Sequence, residues 1–428
     1  MNFKDQLASI APAFSYNDGH LEAGGVNLSE VIEAAKGPVY VYALDSVLEN
    51  FLGFKEAFSG QPTRICYAMK ANDCVAILKL LSDVGSGVDV VSGGELALAM
   101  SAGVPADKIV FSGVGKSDSE LAQAVNAGVM QINVETAYEL GQLAKIANSM
   151  GKEAPIALRV NPDVEAGTLD QISTGRATDK FGIAYQDAAR LYMEAEKTPG
   201  LAPKGIAMHI GSQIGDTDFL AAACAKLRSL WESLATSGVK LERFDVGGGL
   251  GIRYKNEDPP LVQAYADTIK KAVSGLNAEV VLEPGRRIVG PAGVLLSTVI
   301  SVKEAAGRRF VILDAAMNDL IRPALYKAWH EIVPLTDPGE VQWTPADVVG
   351  PVCESTDKFA DQRPLPPLLP GDRVAFLAAG AYGAVMGSEY NSRPRAAEAV
   401  VRGGNWSFTR NPRSYNDIIR EQHAPSWL

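Results

Sequence analysis

Histidine and cysteine are scarce, four of each in 428 residues, and the scarcity removes several chemistries. His20, His209, His330 and His423 are scattered, with no HExxH pair and no Cys/His cluster, so no metal centre is expected. Cys66, Cys74, Cys224 and Cys353 form no CxxC and are too sparse for a disulfide framework, which suits a reducing cytoplasm. No run reaches the roughly 18 apolar residues of a membrane span. The opening MNFKDQLASIAPAFSYNDGH lacks a basic start followed by an apolar core, so no signal peptide is expected. A net charge of −10 argues against nucleic acid and anionic membrane as partners. Two nucleotide motifs also fail. DVGGGLG (245–251) is followed by Ile252 where GxGxxG needs glycine, and GKS (115–117) has Val110 where a P-loop needs its first glycine.

What remains is an ordinary globular composition, 47% hydrophobic and 21% charged, in a chain too long for a single small domain. From residue 64 to 285 short β-rich runs alternate with helical segments. The runs are RICYAMK (64–70), GVDVVSG (87–93), KIVFSG (108–113), MQINVE (130–135), PIALRVN (155–161), GIAMHIG (205–211), RFDVGGG (243–249) and EVVLEPG (279–285). Between them, Leu140, Leu143, Ala144 and Ala147 share one helical face. Ser117 and Glu120 have capping-box spacing, and Gly128 stands where a helix would stop. Eight strand–helix units imply a closed (β/α)8 barrel, with a doubly wound open sheet as the alternative.

Outside the barrel the pattern changes. PVYVYAL (38–44), VLLSTVISVKEA (294–305), RRFVILDAA (308–316), RVAFLAAGA (373–381) and AEAVVRGG (397–404) read as strands, as does part of HLEAGGVNL (20–28), while PLPPLLPGD (364–372) reads as a loop. The expected division is a barrel over 36–285 and a mostly β domain from 1–35 and 286–428.

Active sites of such barrels lie at the C-terminal strand ends. Those ends carry Lys70, Asp89 with Ser92, Ser112, Asn133 with Glu135, Arg159 with Asn161, His209 with Ser212, the glycines 247–249, and Glu283 with Gly285 and Arg286. A lone lysine at a strand end ordinarily reaches solvent, and a GGG run is ordinarily a turn. Here the glycine-rich turns follow strands seven and eight, where barrels commonly bind phosphate. A lysine, a phosphate cradle, a carboxylate and an imidazole together match the needs of pyridoxal phosphate: a Schiff-base amine, an anion site, a partner for the ring nitrogen and a flat group against the ring.

YAMKAN (67–72), HIGSQI (209–214), DVGGGLG, EPGR (283–286) and PVCESTD (351–357) resemble the fold-type III pyridoxal-phosphate decarboxylases, whose fold is alanine racemase-like. STGRATDKFGI (173–183) and LIRPALYKAWHEI (320–332) are more similar to the diaminopimelate branch than to the ornithine and arginine branches. The resemblance covers roughly residues 20–425. It implies that Lys70 binds the cofactor covalently, Asp89 lies near it, and His209 stacks on the ring. Ser212, Gly248, Pro284, Gly285, the Arg286 backbone and Tyr382 would complete the cofactor site, with Glu283 on the pyridinium nitrogen. Arg286, Arg322 and Tyr326 would hold the substrate's distal carboxylate, with Tyr382 also near the substrate. Glu354 would read its distal amine and Cys353 would donate a proton, both entering from the other subunit of a homodimer. Read without the family, Arg322 is a turn arginine, Tyr326 a core residue, and Cys353 a buried thiol whose acidic neighbour favours the protonated form.

The implied reaction is decarboxylation of meso-diaminopimelate to L-lysine, the last step of lysine biosynthesis. The rivals are a decarboxylase for ornithine, arginine or carboxynorspermidine, an amino-acid racemase, and a non-catalytic cofactor-binding regulator. The long polar segment 162–180 is the expected lid.

Overall fold

The computed structural model describes residues 3–164 and 180–428, so most of the segment expected to form a lid lies outside the described residues. The chain divides into two compact units. One comprises residues 48–251 and 258–287 and is called the barrel unit. The other comprises residues 1–47, 252–257 and 288–428 and is called the β unit.

In the barrel unit all eight anticipated strands form: β1 (Thr63–Ala68), β2 (Gly87–Val90), β3 (Ile109–Phe111), β4 (Gln131–Val134), β5 (Ala154–Asn161), β6 (Leu201–Ala207), β7 (Arg243–Asp245) and β8 (Glu279–Leu282). Each pairs in parallel with the next, and β8 returns to β1, with Val280 opposite Thr63. The sheet is therefore closed and the open-sheet alternative is excluded. Every residue of β2, β3 and β4 is buried, as a parallel strand covered on both faces requires.

The connecting helices follow local rules. Helix Asp118–Ala127 starts on a complete capping box of Ser117 and Glu120 and stops at Gly128, whose φ of 72° is left-handed. Helix Ala137–Ser149 buries Leu140, Leu143, Ala144 and Ala147, the face seen in the sequence, and adds Glu139.

In the β unit, Gly293–Ala305 is the longest strand. It pairs antiparallel with Val39–Ala43, Arg308–Leu313 and Arg373–Phe376. Val39–Ala43 lies in the same sheet between Gly293–Ala305 and Ala397–Arg402, which assigns it to this unit although its sequence directly precedes the barrel's first helix. Its five residues are all buried. The core joins Val39 and Val41 to Leu296, Val333, Ala375 and Ala399. Strands Thr344–Val349 and Lys358–Leu365 extend the sheet to one edge, and the prolines Pro345 and Pro364 stand opposite each other there, where a missing N–H is tolerated.

Candidate active site

The barrel unit gathers its polar residues at the C-terminal ends of the strands. Lys70 lies on a single 3₁₀ turn, Met69–Ala71, immediately after β1. Met69 and Ala71 on either side are buried, which fixes the turn and leaves the lysine partly exposed. Its Nζ donates to Asp89 Oδ2 at 3.2 Å. Asp89, on β2, is wholly buried, and its Oδ1 has no hydrogen-bond partner among the described residues.

Glu283 follows β8. Its Oε1 accepts from Asn133 Nδ2 at 3.1 Å and from Ser112 Oγ at 3.5 Å, so the ends of β3 and β4 hold it. Asn133 Nδ2 also lies 3.5 Å from Asp245 Oδ2, which accepts from Gln131 Nε2 at 3.1 Å. Three acids, Asp89, Asp245 and Glu283, are thus buried together in the barrel centre. Burial raises the Glu283 carboxyl well above its usual range, and the neighbouring acids Asp245 and Asp89 raise it further, against the pull of Lys70 and Arg159. Burial likewise pushes Asp245 up to about 7. Glu95, whose Oε2 accepts from Val91 N, is pushed up to about 7, again first by burial.

His209 follows β6. Its Nδ1 accepts from Gly248 N at 3.2 Å, so the ring is neutral with its proton on Nε2. Burial, then Lys70 and Arg159, hold its pKa well below the usual imidazole value. Ser212 Oγ accepts from Arg286 Nη2 at 2.9 Å. The glycines are there for backbone contact. A Cβ on Gly248 would lie 2.1 Å from Glu283 O, one on Gly249 2.2 Å from Gly211 O, and one on Gly285 2.9 Å from the Cβ of Ala71. The turns after β6, β7, β8 and β1 therefore close on each other with no side chain between them.

A second layer supports the ends of β3 and β4. The side chain of Lys116 is fully buried and donates to Gly113 O (2.6 Å), Asn133 O (2.7 Å) and Glu139 Oε1 (2.6 Å). Glu135 is buried as well and accepts from Gly113 N, Arg159 Nη1 and Gly182 N. Lys116 stood in the sequence only as part of a failed P-loop, and Asp245 only as the first residue of DVGGGLG. Neither residue's neighbours in sequence announce a buried polar partner.

The β unit carries the remaining predicted residues. Arg322 opens the short helix Arg322–Tyr326 and is buried, not a surface turn arginine, and Tyr326 is partly exposed, not core. Cys353 is exposed, against the expectation of a buried thiol, with its N–H donating to Asn391 Oδ1. The Glu354 carboxyl is held below its usual range by the backbone N–H of Thr356 and then by the hydroxyl of Ser355, so it stays charged. Tyr382 has φ of 56°, a left-handed backbone that a bulky residue rarely adopts.

Residues 44–290 match the pyridoxal-dependent decarboxylase family over its pyridoxal binding domain. A diaminopimelate decarboxylase of Zymomonas mobilis is 44% identical, covering 97% of this chain and 99% of the relative. The crystal structure of the Helicobacter pylori diaminopimelate decarboxylase, complexed with L-lysine, is similar with a TM-score of 0.89 at 42% identity, covering 92% of this chain and 99% of that one. The M. jannaschii diaminopimelate decarboxylase, also with L-lysine, reaches 0.92 at 32% identity, covering 97% of this chain and 99% of that one. The chain belongs to the pyridoxal-dependent decarboxylases, within the diaminopimelate decarboxylase family.

Proposed function

We propose that the protein removes carbon dioxide from meso-diaminopimelate and releases L-lysine, with pyridoxal phosphate as cofactor. The observation that carries this reading is the meeting of Lys70, buried Asp89 and Glu283 at one glycine-walled barrel mouth.

The residues fit that cofactor. Asp89 Oδ1 is a buried acceptor with no hydrogen-bond partner among the described residues, Glu283 is a carboxyl group for a ring nitrogen, and Gly247–Gly249 and Gly285 pack their turns too closely for any Cβ, so that peptide groups without side chains of their own form the wall at the strand ends. Lys70 would hold the cofactor covalently, with Ser212, Gly248, Pro284, Gly285, the Arg286 backbone and Tyr382 about its phosphate. When bound, pyridoxal phosphate supplies a sink for the electron pair that departing carbon dioxide leaves.

The chain's own residues do the rest. Asp89 orients the Lys70 amine. His209, kept neutral, presents a flat ring and adds no charge beside the cation of Lys70. Glu283, buried beside Asp245 and Asp89, draws a proton toward its carboxyl and so would favour a protonated ring nitrogen held against it. Arg286, Arg322 and Tyr326 bind the substrate's distal carboxylate, and the charged Glu354 binds its distal ammonium. Cys353 Sγ holds the proton that replaces the lost carboxylate. In the same reading the chain works as a homodimer, with Cys353 and Glu354 serving Lys70 of the partner subunit. It works in a reducing cytoplasm, which suits its four free thiols.

Incubating the loaded protein with meso-diaminopimelate, ornithine or arginine, with product detection by mass, tests the assignment. L-lysine should form and no diamine or agmatine should appear. Equal turnover of ornithine would reject the substrate assigned here.

A further inference from the structure

We infer that His330 is a positioning residue for Arg322 and that it sets the grip on the substrate's distal carboxylate through the protonation state of its ring. The inference rests on the reading of Arg322 as a carboxylate-binding residue.

The geometry leaves the His330 ring no choice. Its Nδ1 lies 2.8 Å from Leu377 O, and a carbonyl oxygen only accepts, so Nδ1 carries hydrogen. Its Nε2 lies 2.8 Å from Arg322 Nη1, and a guanidinium only donates, so Nε2 presents its lone pair. The ring is thus neutral with its proton on Nδ1. Both side chains are buried, His330 at 2% exposure and Arg322 at 7%. Tyr254 closes the arrangement. The Arg322 guanidinium stands 4.6 Å over its ring, and His330 meets the same ring edge-on at 5.3 Å. These two contacts, a ring face and a nitrogen lone pair, help set the plane and direction of the guanidinium before any ligand arrives, which reduces the ordering cost of binding a carboxylate.

Two further charged groups, Arg363 and Glu331, stand near the His330 backbone. Arg363 Nη1 donates to the His330 carbonyl at 2.8 Å, and Glu331 is 3.6 Å from Arg363. Neither contact is to the imidazole nitrogens. Protonating His330 turns Nε2 from acceptor to donor and sets a cation against the Arg322 guanidinium. Arg322 must then move, and the grip on the distal carboxylate weakens. The sign follows: affinity for ligands bearing that carboxylate falls as pH falls.

L-lysine keeps the distal carboxylate and cadaverine lacks it, so the pair isolates the effect from the amine and from the cofactor. Binding of each to the cofactor-loaded protein is read by the change in cofactor absorption, from about pH 8 down to the lowest pH at which the protein stays folded, because burial and the Arg322 cation both oppose charging the ring. In the wild type L-lysine should weaken roughly tenfold or more relative to cadaverine on acidification, a gain or loss typical of one charge-assisted contact. His330→Phe should raise KM for meso-diaminopimelate about tenfold, change kcat less than about threefold, leave cadaverine binding unchanged and abolish the pH-dependent difference. His330→Gln, whose amide oxygen can replace Nε2, should recover much of the affinity without the pH dependence. If Arg322→Leu weakens L-lysine but His330→Phe does not, the inference is overturned while the role of Arg322 stands. If Arg322→Leu binds L-lysine like the wild type, both fail. Should His330→Phe not fold, a flat ratio of L-lysine to cadaverine affinity across the pH range in the wild type overturns the inference alone.

Discussion

At Lys70 a single nitrogen sits between solvent and the buried carboxylate of Asp89. Lys70→Ala should yield folded protein from which borohydride treatment followed by denaturation recovers no cofactor bound to the chain, because the amine that rests on Asp89 is gone. A band that survives this treatment at wild-type strength would move the anchor to another lysine. Glu283→Gln preserves shape and the hydrogen bond from Asn133 but removes the negative charge. The cofactor should remain bound while turnover falls by at least about 100-fold, since the lost interaction strengthens as charge develops in the transition state. Steady-state assays on protein of verified cofactor content check this, and near-normal turnover would remove Glu283 from the chemistry.

Among the elements, β3 and β4 depend on one lysine. Lys116 joins Gly113 O and Asn133 O, the carbonyls at the two strand ends, to Glu139 on the following helix. Lys116→Met should lower the stability of the barrel unit by about 3 kcal/mol in denaturant titration, the cost typical of breaking one side of a buried ion pair. Protonation of Glu139, whose pKa burial already raises, limits the loss. An unchanged midpoint would mean that the two carbonyls are held without it. The eight barrel strands were legible because each is a short apolar run closed by polar or glycine residues. Thr344–Val349 and Lys358–Leu365 were not, since Pro345, Arg363 and Pro364 break the alternation that marks a strand. Lys70, Asp89 and Glu283 were legible from their places at strand ends. Lys116, Asp245 and His330 were not, because a buried polar group is defined by partners distant in sequence.

For the whole molecule, the proposed dimer makes a quantitative claim. Lys70→Ala and Cys353→Ala homodimers should each be nearly inactive. If each site draws Lys70 from one chain and Cys353 from the other, a mixed dimer holds one doubly defective site and one intact site. Random exchange of equal amounts gives about half mixed dimers, so roughly a quarter of all sites should recover. Exchange is verified with a tagged chain. Activity that stays at the level of the parents after verified exchange would place both residues of a site on one chain, or show that Cys353 is dispensable.

The placement of Val39–Ala43 has a consequence for synthesis. This apolar strand emerges early, yet it is flanked by Gly293–Ala305 and Ala397–Arg402, which emerge late. At ribosomal rates of about 5–20 residues per second it waits on the order of tens of seconds for its second neighbour. During that time the segments of the barrel unit are all made, while a five-residue VYVYA segment has no native strand on one side. Such a segment pairs with any free edge it meets. Chains truncated before Ala397 should therefore aggregate through their beginning and not through the cut end, and a chaperone that binds this protein during translation should be found on residues near Val39.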